Sequence, residues 1–466
     1  MKVLMFGWEF PPHISGGLGT ACYGLTNSLG KEDVDVLFVV PKLHGDEPAQ
    51  NIRLINASHI PVDNAPSKGI RLPKISNNTA YTTSTGKEIS IHEAEGFTYI
   101  EVPSGLTAYR SPEFAESSDR VSHWNYTQGE SSVTSSDQTT TQLTETDQKQ
   151  RSAYAFSGAY GPNLLMEVEK YAQVASELAR KFNFDVIHAH DWMTYPAGIA
   201  AKEVSGKPLI VHVHATEYDR SGSNVDTRVH AIEMAGMHNA DCVVTVSEWT
   251  KKIAISKYHV PKNKVQVVHN GIISKKEEKI IFESPLKRSP IVTFLGRITH
   301  QKGPLYFVDA AKAVLAEIPD ARFIVAGSGD LLPKMIQQVA KAGMSSRFHF
   351  TGFVKGSDIE RIWSISNVYV MPSVSEPFGI APLEAIQAGV PVIISKQSGV
   401  AEVMPHAIAV DFWDTEALAE AICSVLKYKS LYRSLKKNSK AQIKGITWDK
   451  AAKRLTNLYH ELTEQQ

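Results

Sequence analysis

Short apolar runs rich in Val and Ile recur along this chain, separated by stretches in which apolar residues return every three or four positions. Side chains alternate across a strand and repeat about every 3.6 residues around a helix, so the runs read as strands and the stretches as helices. A first series of runs covers 3–6, 34–40, 99–102, 186–189, 209–213, 242–246 and 265–268. A second covers 291–295, 323–326, 348–351, 368–371, 392–394 and 408–410. Strands alternating with helices predict βαβ units and parallel sheets. Runs that are apolar on both faces predict sheets covered by helices on both sides. Between the two series lie Lys275-Lys276-Glu277-Glu278-Lys279 and Glu283-Ser284-Pro285, charged and Pro-flanked like a linker. The expected architecture is α/β: two Rossmann-like, doubly wound parallel-sheet domains, 1–279 and 285–447, facing across a cleft. Residues 117–152 are rich in Ser, Thr and Gln and nearly free of aliphatic side chains. They cannot bury a core and are expected to form a mobile insertion loop.

Composition narrows the function classes. A chain of 466 residues with 42% apolar content supports two or three domains. A formal net charge of +0 supplies no global field toward nucleic acid, and no nucleic-acid partner is expected. The three cysteines, Cys22, Cys242 and Cys423, are far apart, odd in number and without metal-ligand spacing, which fits a reduced, cytoplasmic setting. The amino terminus reads as a strand rather than a secretion signal. No stretch reaches the ~18 apolar residues of a membrane span. One local departure is the run Lys427, Lys429, Arg433, Lys436, Lys437, Lys440 and Lys444, without an intervening carboxylate. A solvated helix face is the plain reading, and a weak peripheral membrane contact is the alternative.

Candidate chemistry collects at the ends of the strand runs. In Ser375-Glu376-Pro377-Phe378-Gly379-Ile380-Ala381-Pro382-Leu383-Glu384, two carboxylates flank a Phe-Gly turn and a helix start. Pro382 suits a first helical turn, which puts Glu384 one turn in and Glu376 on the loop before it. Free N–H groups at such a terminus favour phosphate, and carboxylates beside it can accept hydrogen bonds from sugar hydroxyls. Dipole complementation alone is the other reading of such a Glu pair. After the 291–295 run, Gly296-Arg297 and Lys302-Gly303 place two cations where they could hold a diphosphate. Gly327 and Thr351-Gly352-Phe353-Val354 lie at further strand ends on the same edge and could line a base and ribose pocket. In the first half, Ser15-Gly16-Gly17-Leu18-Gly19 follows the first strand, either as an anion-approaching turn or as a tight strand-to-helix connection. His188 and His190 close one strand; His212 and His214 close the next and share a face. A metal site would need three or four converging ligands, which the sequence does not establish. His188 and His212 read as structural and His214 as substrate-facing. Asp33-Val34-Asp35 has a DxD pattern but sits at the amino end of a strand, the wrong end for a ligand.

Together, Glu376 to Glu384, Gly296-Arg297, Lys302-Gly303, Ser15 to Gly19, His190-Asp191-Trp192, Val246-Ser247, His269-Asn270-Gly271 and Ser398 to Glu402 resemble the retaining GT-B glycosyltransferases. The similarity is to glycosyltransferase family 4 and the related glycogen and starch synthases, and it spans nearly the whole chain outside 117–152. The resemblance implies a GT-B fold whose terminal helix, 448–466, packs back on the first domain. It implies transfer of a hexose from a nucleoside-diphosphate sugar to a saccharide, glycan or lipid-linked acceptor with retained anomeric configuration and no metal or other cofactor. Arg297 and Lys302 would bind the diphosphate and stabilise the leaving group, Glu376 would contact the donor sugar, and His214 would hydrogen-bond it. Gly16, Gly17, Gly296, Phe378, Gly379, Ile380, Glu384, Gly327, Phe353 and Val354 would complete the donor site. Glycogen and starch synthases carry Lys two residues before the glycine pair, whereas Ile14-Ser15 stand here. That departure counts against an α-1,4-glucan synthase using ADP- or UDP-glucose, the first alternative; a non-catalytic sugar-nucleotide-binding protein is the second.

Overall fold

The computed structural model describes residues 1–13, 16–48, 52–62, 153–273 and 289–464, with the backbone of 63, 76–82, 88–94, 97–101 and 151–152. The linker segment 274–288, residues 117–150 of the expected insertion, and Ile14-Ser15 fall outside these. The strands run β1 (Lys2–Phe6), β2 (Asp35–Val40), β3 (Arg53–Asn56), β4 (Pro61–Asp63), β5 (Ser76–Thr82), β6 (Glu88–Ala94), β7 (Phe97–Glu101), β8 (Arg151–Ala153), β9 (Val186–His190) and β10 (Leu209–Val213). They continue as β11 (Cys242–Thr245), β12 (Val265–Val267), β13 (Ile291–Leu295), β14 (Arg322–Ala326), β15 (Phe348–Gly352), β16 (Val368–Met371), β17 (Val392–Ser395) and β18 (Ile408–Val410).

Two parallel sheets result. The first has seven strands in the order β12-β11-β10-β9-β1-β2-β3, and the second has six in the order β15-β14-β13-β16-β17-β18. Helices lie between most successive strands in both, the doubly wound arrangement that the strand pattern predicts; β2 leads to β3 without one, and only a short 3-10 turn separates β17 from β18. Alternation drives the burial. Leu4 and Phe6 of β1 face one apolar cluster with Ile187, Val211 and Val243, while Val3 and Met5 face another with Val36, Ile210 and Val244. Each such fully buried aliphatic contributes about 1.5–3 kcal/mol relative to exposure. The last helix, Trp448–Glu464, packs on the helix Gly17–Leu29, with Trp448, Leu455, Leu458 and Tyr459 in the second of these clusters.

Two expectations need correction. The run at 99–102 does not join the parallel sheet: β7 belongs to a separate antiparallel sheet of order β5-β6-β7. Residues 151 and 152, expected at the end of a mobile loop, lie in β8, which pairs antiparallel with β4.

The strand order explains where a site can form. In the first sheet the connections lead from β1 outward through β2 to β3, and on the other side from β9 through β10 and β11 to β12. In the second they lead from β13 through β14 to β15, and from β16 through β17 to β18. Each sheet therefore reverses direction once, between β1 and β9 and between β13 and β16. Loops diverge at such reversals and leave a crevice beyond the carboxyl ends of the strands, where ligands of open α/β sheets bind.

Candidate active site

At the reversal of the second sheet, β13 leads into Gly296-Arg297 and a tight turn, His300–Lys302, before the helix Pro304–Glu317. Gly303 has φ 62°, and a Cβ there would come within 2.0 Å of the Pro372 carbonyl, so only glycine lets this turn sit against the end of β16. That approach carries Lys302 to Glu376. The two side chains form an ion pair in which Glu376 is 7% exposed and Lys302 20%. Ser373 Oγ donates to the same Glu376 oxygen at 3.1 Å. The backbone of Glu376 is tied to the loop after β17: its N–H donates to the Gln397 carbonyl and its carbonyl accepts from Gly399 N, each at 2.9 Å. Arg297, half-buried, donates to Gln301 Oε1 at 3.2 Å.

The chain after Glu376 turns through Gly379, whose φ of 96° lies in the left-handed region, and enters the helix Ala381–Gln387. Pro382 stands at its start and Glu384 in its first turn. Phe378 is 2% exposed within an apolar cluster, so only its backbone can meet a ligand. Ile380 packs between clusters of both sheets. Gly327 follows β14 directly, and its N–H donates to the Gly352 carbonyl at 2.8 Å. Phe353 is exposed at the end of β15, while Val354 turns inward onto Ile291, Ile324 and Ile362.

At the reversal of the first sheet, Gly16 caps the helix Gly17–Leu29 in extended conformation, with nothing within 4 Å of where a Cβ would stand on it or on Gly17. Beside it, β9 and β10 present four imidazoles on one face. His188 stacks on His190 and His212 on His214, with ring centroids 4.3 Å apart in each pair. Across the strands His188 Nε2 lies 3.2 Å from His212 Nδ1, and His190 Nδ1 lies 2.9 Å from His214 Nε2. His188 Nδ1 also bonds Tyr459 OH of the terminal helix at 2.7 Å. Burial pushes His188, His190 and His212 well below the usual histidine range and His214 down to about 3. All four rings are neutral near pH 7. His214 stands at the outer end of the array, and its Nδ1 has no partner among the described residues. Asp191, at φ 60°, joins the strand ends by accepting from the N–H groups of His214 at 2.7 Å and Ala215 at 3.3 Å. Burial pushes its carboxyl up to about 6, against the pull of Arg220 and these two donors. Beneath the same loop Arg220 pairs with Glu217 and Glu233 and donates to the Ala215 carbonyl at 3.2 Å.

The two edges meet. The short helix Glu217–Ser221 lies against the Lys302 turn. Asp219, capped into that helix by Thr216, accepts from Ser375 Oγ at 2.5 Å, one residue before Glu376. Ser247 Oγ donates to the Pro377 carbonyl at 2.6 Å, and Trp249 Nε1 donates to Ser375 Oγ at 3.1 Å. Glu402 accepts from Glu248 N at 2.9 Å and Trp249 N at 2.7 Å, and bonds His269 Nε2 at 2.9 Å. A Cβ on Gly399 would lie 2.4 Å from Ser247 Cβ, so the seam closes this tightly only around a glycine. Sequence reasoning missed this seam. Its local halves are legible, since Ser247 and Thr216 stand at helix starts. The partners of Ser247 and of Asp219, 130 and 156 positions away, are not.

Comparison with known proteins follows the same division. The family model described as "Glycosyl transferases group 1" matches residues 276–442, "Glycosyltransferase Family 4" matches 146–275, and "Starch synthase catalytic domain" matches 2–125. An uncharacterised glycosyltransferase of Methanocaldococcus jannaschii is 32% identical over 310 residues, 61% of this chain and 79% of that protein. A glycogen synthase of Mycobacterium tuberculosis is 22% identical over 434 residues, 91% of this chain and 86% of that one. Among solved structures, a sucrose-phosphate synthase from Thermosynechococcus elongatus superposes with a TM-score of 0.65 over 100% of both chains at 18% identity, which establishes likeness of fold.

Proposed function

The chain belongs to the family 4 glycosyltransferases of GT-B fold, and on that premise we propose that it moves a hexose from a nucleoside-diphosphate sugar to an acceptor hydroxyl with retention of anomeric configuration. The observation that carries this reading is the Lys302–Glu376 ion pair at the reversal of the second sheet, with Arg297 on the same turn, joined through Ser375 and Asp219 to the loop that follows His214. As the donor's C1–O bond breaks, positive charge develops on the sugar and negative charge on the departing diphosphate. Arg297 and Lys302, with the N–H groups at the start of the helix Ala381–Gln387, offset the latter, the service a Mg²⁺ ion performs in other phosphate chemistry. Glu376 faces the sugar and Glu384 accepts from the ribose hydroxyls. The β-phosphate takes the acceptor proton as the new glycosidic bond forms, so no separate catalytic base is required. His214, neutral and with one ring nitrogen already bonded to His190, acts as a hydrogen-bond partner rather than a proton shuttle. The acceptor is a saccharide, glycan or lipid-linked sugar approaching from the first domain.

A second reading, α-1,4-glucan synthesis, draws on the starch-synthase match over residues 2–125. The Ile14-Ser15 pair in place of a lysine ahead of Gly16 weighs against it. Screening ADP-, UDP- and GDP-sugars for turnover, followed by NMR of the product's anomeric proton, tests the proposal. Retained configuration with a small saccharide acceptor is the expected result. Inverted configuration overturns the mechanism, and processive extension of an α-glucan selects the second reading.

A further inference from the structure

A second group of metal-ligating side chains lies on the same edge of the first sheet, outside the machinery above. His13 follows β1, three residues ahead of Gly16; His44, Asp46 and Glu47 lie in the loop after β2. Because β1 and β2 are neighbours, these loops leave the sheet side by side. The rings of His13 and His44 stack with centroids 3.8 Å apart. One donor atom each from His13, His44 and Glu47 falls within 4.8 Å of the others. His13 Nε2 already lies 2.7 Å from Asp46 Oδ1, and His44 Nδ1 lies 3.6 Å from Glu47 Oε1. We propose that His13, His44 and Glu47, with Asp46 beside them, form a binding site for a zinc-class divalent cation at the rim of the glycine turn.

Two imidazoles and a carboxylate, with a position left to solvent, make the ligand set that suits borderline first-row ions. Donors around a tetrahedral ion stand roughly 3.3 Å apart given metal–nitrogen bonds of about 2.0–2.1 Å. The side chains of His13 and His44 are 42% and 39% exposed, so both can swing by the ångström that closure requires. Glu47 is held for the purpose. Its two oxygens accept from the backbone N–H groups of His44 at 2.6 Å and Gly45 at 2.9 Å, which holds the carboxylate in place beside the imidazoles. The other two compact groups among the described residues, Cys22 with His190 and His214 and His188 with His190 and His212, are poorer hosts: they are largely or wholly buried, and in each two imidazoles already bond each other.

The test uses tag-free, metal-stripped, full-length protein titrated with Zn²⁺ by calorimetry and with Co²⁺ by absorbance. One equivalent of saturable binding is expected, with cobalt d–d bands and no intense near-ultraviolet thiolate band. His13→Ala and His44→Ala should each weaken binding at least about 10-fold while the far-ultraviolet circular dichroism stays unchanged. Cys22→Ser should bind as the parent does. Absence of saturable binding overturns the proposal, as does affinity unchanged in His44→Ala. A thiolate–cobalt band that disappears in Cys22→Ser would move the site to the interior group and equally overturn it.

Discussion

Four neutral imidazoles line the reversal of the first sheet, whereas the reversal of the second holds two cations and two carboxylates. The scaffolds at these two places are alike: a parallel sheet, a glycine turn, and a helix beginning beyond it. The difference lies in what each can recognise. Rings held neutral by burial offer directional hydrogen bonds and suit hydroxyl groups. A half-buried Arg and Lys offer fixed positive charge and suit a pyrophosphate. Ser375, bonded to Asp219 of one edge and adjacent to Glu376 of the other, sets their spacing. A nucleoside-diphosphate sugar has both halves, so on the proposed function a cleft between unlike edges would orient it end to end.

The largest expected effect lies on the charged edge. Arg297→Ala or Lys302→Ala should lower kcat by roughly 10²–10³, about 2.7–4 kcal/mol, as for loss of one preorganised donor to a developing negative charge. Turnover near that of the parent enzyme in either variant would remove the leaving-group role. Next is Glu376→Gln, which removes the partner of Lys302. A loss of about 10–10² in kcat is expected, the scale of one hydrogen bond to a charged group, with a smaller change in nucleotide affinity. An effect confined to donor binding would place Glu376 away from the reacting sugar.

The neutral edge is expected to show itself in stability. The four imidazoles titrate below the ordinary 6.5 when folded, so as pH falls the unfolded chain takes up their protons first and stability drops. Asp191, at about 6, and Glu233, at about 7, act in the opposite sense. Burial is the main cause of both elevations, and between their ordinary and folded values the native state binds the proton, softening the loss. His230 joins the first side and Asp219 the second, both through burial, and with five groups against three, unfolding free energy should fall by at least about 1.4 kcal/mol per pH unit below pH 6. Urea midpoints compared at pH 5 and pH 7 check this; equal midpoints would mean that the rings are charged in the folded state. The smallest effect is expected at the seam. Ser375→Ala deletes one of several hydrogen bonds to Asp219 and the acceptor of Trp249 Nε1 and should cost about 1–2 kcal/mol, seen as a modest fall in the urea midpoint with kcat/KM changed less than about tenfold.

The thirteen apolar runs read from the sequence all coincide with strands, because a Val- and Ile-rich run buried on both faces has one clear pattern. Five strands left weaker marks. Arg53–Asn56, Pro61–Asp63 and Arg151–Ala153 are three or four residues long and carry no sustained alternation, and Ser76–Thr82 and Glu88–Ala94 pair only within the small antiparallel sheet. For the run at 99–102, local pattern revealed a strand but not its sheet, since pairing direction depends on chain far away. At the candidate site, Pro382 and the Phe-Gly turn marked the helix start correctly. The Lys302–Glu376 pair was not legible: its members are 74 positions apart, and only the approach at Gly303 brings them into contact. The imidazole array likewise depends on the register of β9 against β10, which aligns His190 with His212.

The division of labour between the edges is tested most directly by calorimetric titration of a nucleoside diphosphate, without sugar, into the parent protein, Lys302→Ala and His214→Ala, using whichever nucleotide the donor screen selects. The expected result is a loss of affinity of at least about tenfold in Lys302→Ala, the lower end of the scale for a charged hydrogen bond, and parent-like affinity in His214→Ala despite impaired sugar transfer. Equal losses in the two variants, or none in Lys302→Ala, would contradict it.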